Sequence, residues 1–109
     1  MRERSETELI NEMSEQRRTG AAMAVFVHSP FCGTCKLAER MLDVLEAHDP
    51  SLPIVKANIN LIPELRERWR IASVPALVFV KNGEREDCLY AFRSVVHLHD
   101  WLQRRLKQA

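Results

Sequence analysis

The sequence predicts an α/β fold in which helices cover both faces of a small mixed sheet of four strands. Three observations carry that reading. Apolar segments of strand length alternate along the chain with amphipathic segments of helix length. The first two predicted strands are separated by a long helical segment, which makes them parallel through a crossover. The last two flank Asn82-Gly83, the strongest short hairpin signal, and so run antiparallel. With 109 residues, 46% of them hydrophobic, the chain has the size of one domain that buries its own core without disulfide staples.

Residues 5–18 read as a short helix, because Leu9, Ile10 and Met13 recur at helical spacing and Thr19-Gly20 supplies the stop. Its apolar face is narrow, so weak docking is expected. Met23 to Val27 is a buried strand ended by Ser29-Pro30. From Cys32 to about His48, Leu37, Ala38, Met41, Leu42, Val44 and Leu45 mark one helix face, while Lys36, Glu39, Arg40, Asp43 and Glu46 cover the other. After the turn cluster Asp49 to Pro53, Ile54 to Ile59 is a second strand, with Val55, Ala57 and Ile59 on one side, Ile54 on the other, and Lys56 as the anomaly. Pro63 suits a first helical position, and Glu64 to Arg70 continue as a helix with Leu65 and Trp69 at i, i+4 spacing. Ala76 to Val80 is a strand, and Cys88 to Phe92 is read as its returning partner. Ser94 can cap a last helix carrying Leu98, Trp101, Leu102 and Leu106, with Arg104, Arg105 and Lys107 at its C-terminal end. No repeat or linker interrupts the chain, and residues 1–109 read as one domain with 1–20 as an N-terminal helical segment.

Sixteen Lys and Arg against fifteen Asp and Glu are interspersed, with no basic stripe for nucleic acid. The longest apolar runs, Ala21 to Val27 and Val74 to Val80, are about a third of a membrane-spanning helix, and the charged start lacks a signal-peptide pattern. Neither nucleic acid nor membrane is expected as a partner. Three cysteines, two of them as Cys32-Gly33-Thr34-Cys35, fit a reducing compartment better than a secreted framework, so a cytoplasmic protein is expected.

A Cys-X-X-Cys between a strand and a helix has its own chemical logic. Cys32 would sit at the helix N-terminus, where free backbone N–H groups and the macrodipole favour a thiolate. Cys35, one turn deeper, can attack a mixed disulfide formed on Cys32 and release the substrate. Gly33 and Thr34 are small enough to leave the first sulfur open. A structural disulfide or half of a metal site are the competing readings. Zinc would need two further ligands, and His28, His48, Cys88, His97 and His99 supply no second closely spaced pair, so no metal or bound cofactor is expected.

Val25 to Lys36 resembles the active-site strand and helix of the thioredoxin family, and Ser73 to Glu84, with Val74-Pro75, is similar to its second signature. The resemblance covers most of residues 21–107 and implies a thioredoxin fold. It also implies dithiol–disulfide exchange on protein disulfides, with reducing equivalents from an external reductase or a low-molecular-weight thiol. By the same resemblance Pro75 is a cis-proline facing the cysteines, leaving the Val74 backbone free to bond an extended substrate chain. A trans-proline starting an edge strand is the plain alternative.

The family pattern is broken in four places. Phe31 stands for the usual Trp, as apolar contact beside the sulfur, and Thr34 for the usual Pro. Losing Pro restores an N–H able to bond a Cys32 thiolate, which makes the couple more oxidising. Phe26 stands where the family has a buried Asp that accepts the proton of the deeper thiol. Lys56 matches the lysine that neighbours that Asp. Either Lys56 neutralises a Cys35 thiolate directly, or water and His28 carry the proton, or Lys56 is only an apolar stem with a solvated head. The family's opening strand is also missing from this reading. Trp69 and Trp101 fit helical core stripes, and Cys88 reads as a buried inert thiol. The reading is therefore a disulfide reductase. A non-catalytic interaction module, or a redox sensor or metal site on the same cysteines, stands as the alternative.

Overall fold

In the structure, a computed structural model that describes residues 1–108, five strands form one sheet in the order β1-β3-β2-β4-β5. The elements run β1 (Arg2–Glu3), α1 (Glu6–Thr19), β2 (Ala22–His28), α2 (Gly33–His48), β3 (Ile54–Asn58), a 3-10 turn (Ile59–Leu61), α3 (Pro63–Arg68), β4 (Ala76–Lys81), β5 (Glu84–Leu89) and α4 (Val95–Lys107). Strands β1, β3 and β2 are parallel, and β4 and β5 each run antiparallel to their neighbours. The mixed sheet and its helical flanks agree with the expectation.

The strand count does not. The fifth strand is β1, in which Arg2 and Glu3 pair with Val55 and Lys56, and the Arg4 N–H donates to the Lys56 carbonyl at 2.8 Å. Two exposed charged residues carry no hydropathy signal. Their pairing comes from the open edge of β3, whose backbone groups take any extended neighbour.

Alternation along the strands divides the core in two. Met23, Val25 and Val27 of β2, with Ala57, Val78 and Val80, pack with Leu9, Met13, Leu65 and Trp69 from α1 and α3 and the residue that follows α3. Ala24, Phe26, Ile54, Leu77 and Phe79 face the opposite way, against Ala38, Leu42 and Leu45 of α2 and Leu98, Trp101 and Leu102 of α4. Lys56 therefore points to the α2 side, as Ile54 and Phe26 do.

Helix α1 docks more firmly than its apolar stripe predicts. Leu9 and Met13 are buried, and so is Gln16, whose amide donates to the Val80 carbonyl at 3.0 Å and accepts the Gly83 N–H at 3.1 Å. Glu6 accepts the Leu65 N–H at 2.9 Å. Polar anchors thus add to a stripe that counts only apolar residues. Ser5 and Glu8 form a reciprocal capping box at its start.

The returning strand also lies earlier than Cys88 to Phe92. Asn82 and Gly83 both have positive φ, 54° and 76°, so the two-residue turn closes at once and β5 begins at Glu84. A side chain at Gly83 would meet Arg17 Nε at 2.7 Å and the Met13 carbonyl at 3.1 Å, so α1 also lies against this turn. Glu84 to Asp87 are charged because β5 is an edge strand. A register shift between Phe79 and Val80 marks a bulge there. Asp87 receives Arg105 of α4, with Nε at 2.8 Å, and the guanidinium stacks 3.9 Å over the Trp101 ring.

Candidate active site

The chain leaves β2 through a turn at Pro30-Phe31, closed by the Cys32 N–H on the Ser29 carbonyl at 3.2 Å, and enters α2. Cys32 is the N-cap of α2, with extended backbone at φ −107° and ψ 112°. Its sulfur takes the place of the usual capping oxygen and accepts the Cys35 N–H at 3.2 Å. The Thr34 hydroxyl lies 3.1 Å from the same sulfur. Restoring an N–H at position 34 is thus not the whole effect of losing proline, because the side-chain hydroxyl also reaches the thiol.

These contacts separate the two thiols electrostatically. The Cys32 pKa is lowered, first by its hydrogen bond with the Cys35 thiol, then by the Thr34 hydroxyl, with smaller help from the two backbone amides. Cys35 is 2% exposed, and burial together with the Cys32 hydrogen bond pushes its pKa up to about 11; the negative charges of Cys32 and Glu39 add to the rise. Both are free thiols, the dithiol form of the site. A partly exposed nucleophile sits above a buried thiol held protonated.

The other residues singled out by sequence sit on β2 and β3, at the start of α2 and just before β4. Phe31 is 95% exposed, projecting beside Cys32. Gly33 has open space where a side chain would start. The Val74–Pro75 peptide is cis, and both residues are partly exposed just before β4. An open groove lined by Ser29, Ile71, Ala72, Ser73 and Val74 runs beside this loop. Phe26 is fully buried, stacked on His28 at 5.6 Å and edge-on to Phe92 at 5.9 Å.

Lys56 is the cross-strand neighbour of Phe26 and ion-pairs with Glu39 of α2, Nζ to Oε2 at 3.0 Å. Sequence reasoning placed Glu39 on the solvated face of α2 and missed this contact. The clue was a lysine in an apolar strand together with a carboxylate one helical turn after Cys35. His28 is partly buried and its pKa is lowered, chiefly by burial and against the opposing charges of Glu39 and Glu3. Its Nε2 is 3.8 Å from Glu3 Oε1, too far for a hydrogen bond. Cys88 lies on the other side of the sheet, packed against the α1–α3 core, with its pKa raised by burial. Among the described residues, no three His, Cys, Asp or Glu side chains are grouped to hold a metal ion, and no helix is long and apolar enough to cross a membrane.

Comparisons with known proteins agree with this geometry. The thioredoxin family model matches residues 7–104. The chain is 33% identical over 85 residues to the thioredoxin-like protein YusE of Bacillus subtilis (strain 168), covering 78% of this chain and 80% of that protein. It is 33% identical over 60 residues to a thioredoxin of Porphyra purpurea, covering 54% of this chain and 56% of that one, so it spans only about half the length of this second relative. Among solved structures it shares its fold with Fasciola hepatica thioredoxin, at a TM-score of 0.78 and 20% identity over 95% of this chain and 98% of that one. Oxidised thioredoxin from Plasmodium falciparum gives 0.77 at 19% identity, over 96% and 97%.

Proposed function

Because the chain belongs to the thioredoxin family of thiol–disulfide oxidoreductases, we propose that it reduces disulfides in proteins by dithiol exchange, with Cys32 attacking and Cys35 resolving. The observation that carries this reading is the split between the two thiols. Cys32 is lowered in pKa at a helix N-terminus, and Cys35 is held as a thiol one turn deeper. The lowered pKa makes the first the readier nucleophile of the two, and the second attacks only once a mixed disulfide sits on its neighbour.

The substrate is a polypeptide disulfide in an extended segment. The Val74 backbone beside Pro75 bonds that segment as a strand edge would, Phe31 gives it apolar contact, and Gly33 and Thr34 leave the sulfur open. Electrons return from a separate reductase or a low-molecular-weight thiol, so the reaction needs no bound cofactor. The protein works in the cytoplasm, which keeps the pair reduced, and binds neither nucleic acid nor membrane.

Reduction of insulin, followed by turbidity in the presence of dithiothreitol, tests the reading. The wild-type chain accelerates precipitation and Cys32→Ser abolishes the acceleration; activity that survives the substitution overturns the assignment.

A further inference from the structure

We propose that Glu39, held by Lys56, accepts the proton of Cys35 during resolution, so that α2 supplies the carboxylate missing from β2 at Phe26. The inference rests on the dithiol-exchange reading and adds to it the identity of the internal proton acceptor.

The argument is geometric. Cys35 and Glu39 are four residues apart on α2, so both stand on one helix face, one turn apart. Lys56 lies across from Phe26 in the β2–β3 register, on the side of the sheet that α2 covers. Its ammonium holds Glu39 Oε2 at 3.0 Å, with the two side chains only 25% and 31% exposed. A carboxylate is therefore fixed one helical turn from the buried thiol, by a lysine whose cross-strand neighbour, Phe26, has no proton-accepting group. The charge of Glu39 is felt at Cys35, where it disfavours the thiolate. Moving the Cys35 proton onto Glu39 removes that opposing charge as the sulfur ionises, so donor and acceptor change state together.

The other charged or titratable groups around Cys35 fit this role less well. Cys32 is occupied by the mixed disulfide at this stage. Lys56 is cationic and already paired. His28 is the remaining base, a neighbour of Glu39, Glu3 and Lys56, but among the charges acting on Cys35 it is Glu39 that is felt and not His28.

The step balances as follows. Cys32 Sγ⁻ attacks a substrate disulfide; one substrate sulfur leaves as thiolate and takes a proton from water, and the other stays bonded to Cys32. As Cys35 Sγ attacks Cys32 Sγ, its proton passes through water to Glu39, the Cys32–substrate bond breaks, and the second substrate thiolate leaves. The substrate has gained two electrons, the pair has become a disulfide, and Glu39 returns its proton to solvent.

The test loads Cys32 with 5-thio-2-nitrobenzoate and follows its release by Cys35 in a single turnover across pH. With Glu39 as acceptor, release in the wild type is nearly flat from about pH 6 to 8. In Glu39→Gln it falls about a hundredfold near neutral pH and climbs about tenfold per pH unit, because hydroxide is then the base. Glu39→Asp recovers much of the plateau. A plateau that persists in Glu39→Gln, or a wild type that already climbs with hydroxide, overturns the proposal. Insulin reduction by the wild type separates the two ideas, because its failure removes the reductase reading whether or not Glu39 shapes the release profile.

Discussion

At the scale of single residues, the site works by giving two identical thiols opposite environments. Sulfur replaces oxygen as the cap of α2, so the orphan N–H of Cys35 and the Thr34 hydroxyl both stabilise a Cys32 thiolate. Stabilising the thiolate stabilises the reduced form, which makes the couple more oxidising. Thr34→Val removes the hydroxyl contact while leaving the backbone. We expect its Cys32 pKa to move back up and its reduction potential to fall, read from alkylation rate against pH and from a glutathione redox titration. In the wild type, iodoacetamide should modify Cys32 first, and Cys35, 2% exposed and held as a thiol, should react far more slowly at neutral pH. Equal reactivity of the two thiols would contradict this account. The value of position 34 was legible in the sequence as a missing proline. Its mechanism was only half legible, because which groups of Thr34 reach the sulfur depends on how the cap closes.

Among the elements, α1 shows how polar contacts can do what an apolar stripe suggests they cannot. Leu9 is fully buried against the sheet, so Leu9→Ala should destabilise by about 2–5 kcal/mol. Gln16 ties α1 to the end of β4 and to the turn at Gly83, and Gln16→Ala leaves a buried carbonyl and a buried N–H unpaired, at about 1–3 kcal/mol for each group. Urea denaturation of both variants measures these losses, and a Gln16→Ala chain of wild-type stability would mean that water replaces the amide. A glutamine at helical spacing reads as solvent-facing until the turn it bonds is in place. Strand β5 makes the same point: Asn82-Gly83 located the hairpin, yet the charged run after it concealed where the strand begins.

For the whole molecule, the sheet separates two cores, and the absent acid belongs to one of them. Phe26 fills the α2–α4 side together with Phe79, Leu42 and Trp101. Phe26→Asp would restore the family residue but would lose an aromatic core side chain and bury a carboxyl. We expect a loss of more than about 3 kcal/mol in thermal or urea unfolding, with no gain in resolution rate. A stable, faster variant would show that this core has room for the acid and that Glu39 is dispensable.

The sequence by itself determined the alternating strands, the crossover, the capped last helix, the turn at Asn82-Gly83 and the reactive pair at a strand–helix junction. These are set by neighbours along the chain, through periodicity, capping and allowed φ. Only the tertiary structure decided that Arg2–Glu3 completes the sheet, that Gln16 is a buried anchor, and that Lys56 meets Glu39 across 17 residues of sequence. Each of these is a polar group whose partner lies on another element. Hydropathy assigns such groups to solvent, and only packing shows that burial has given them one another.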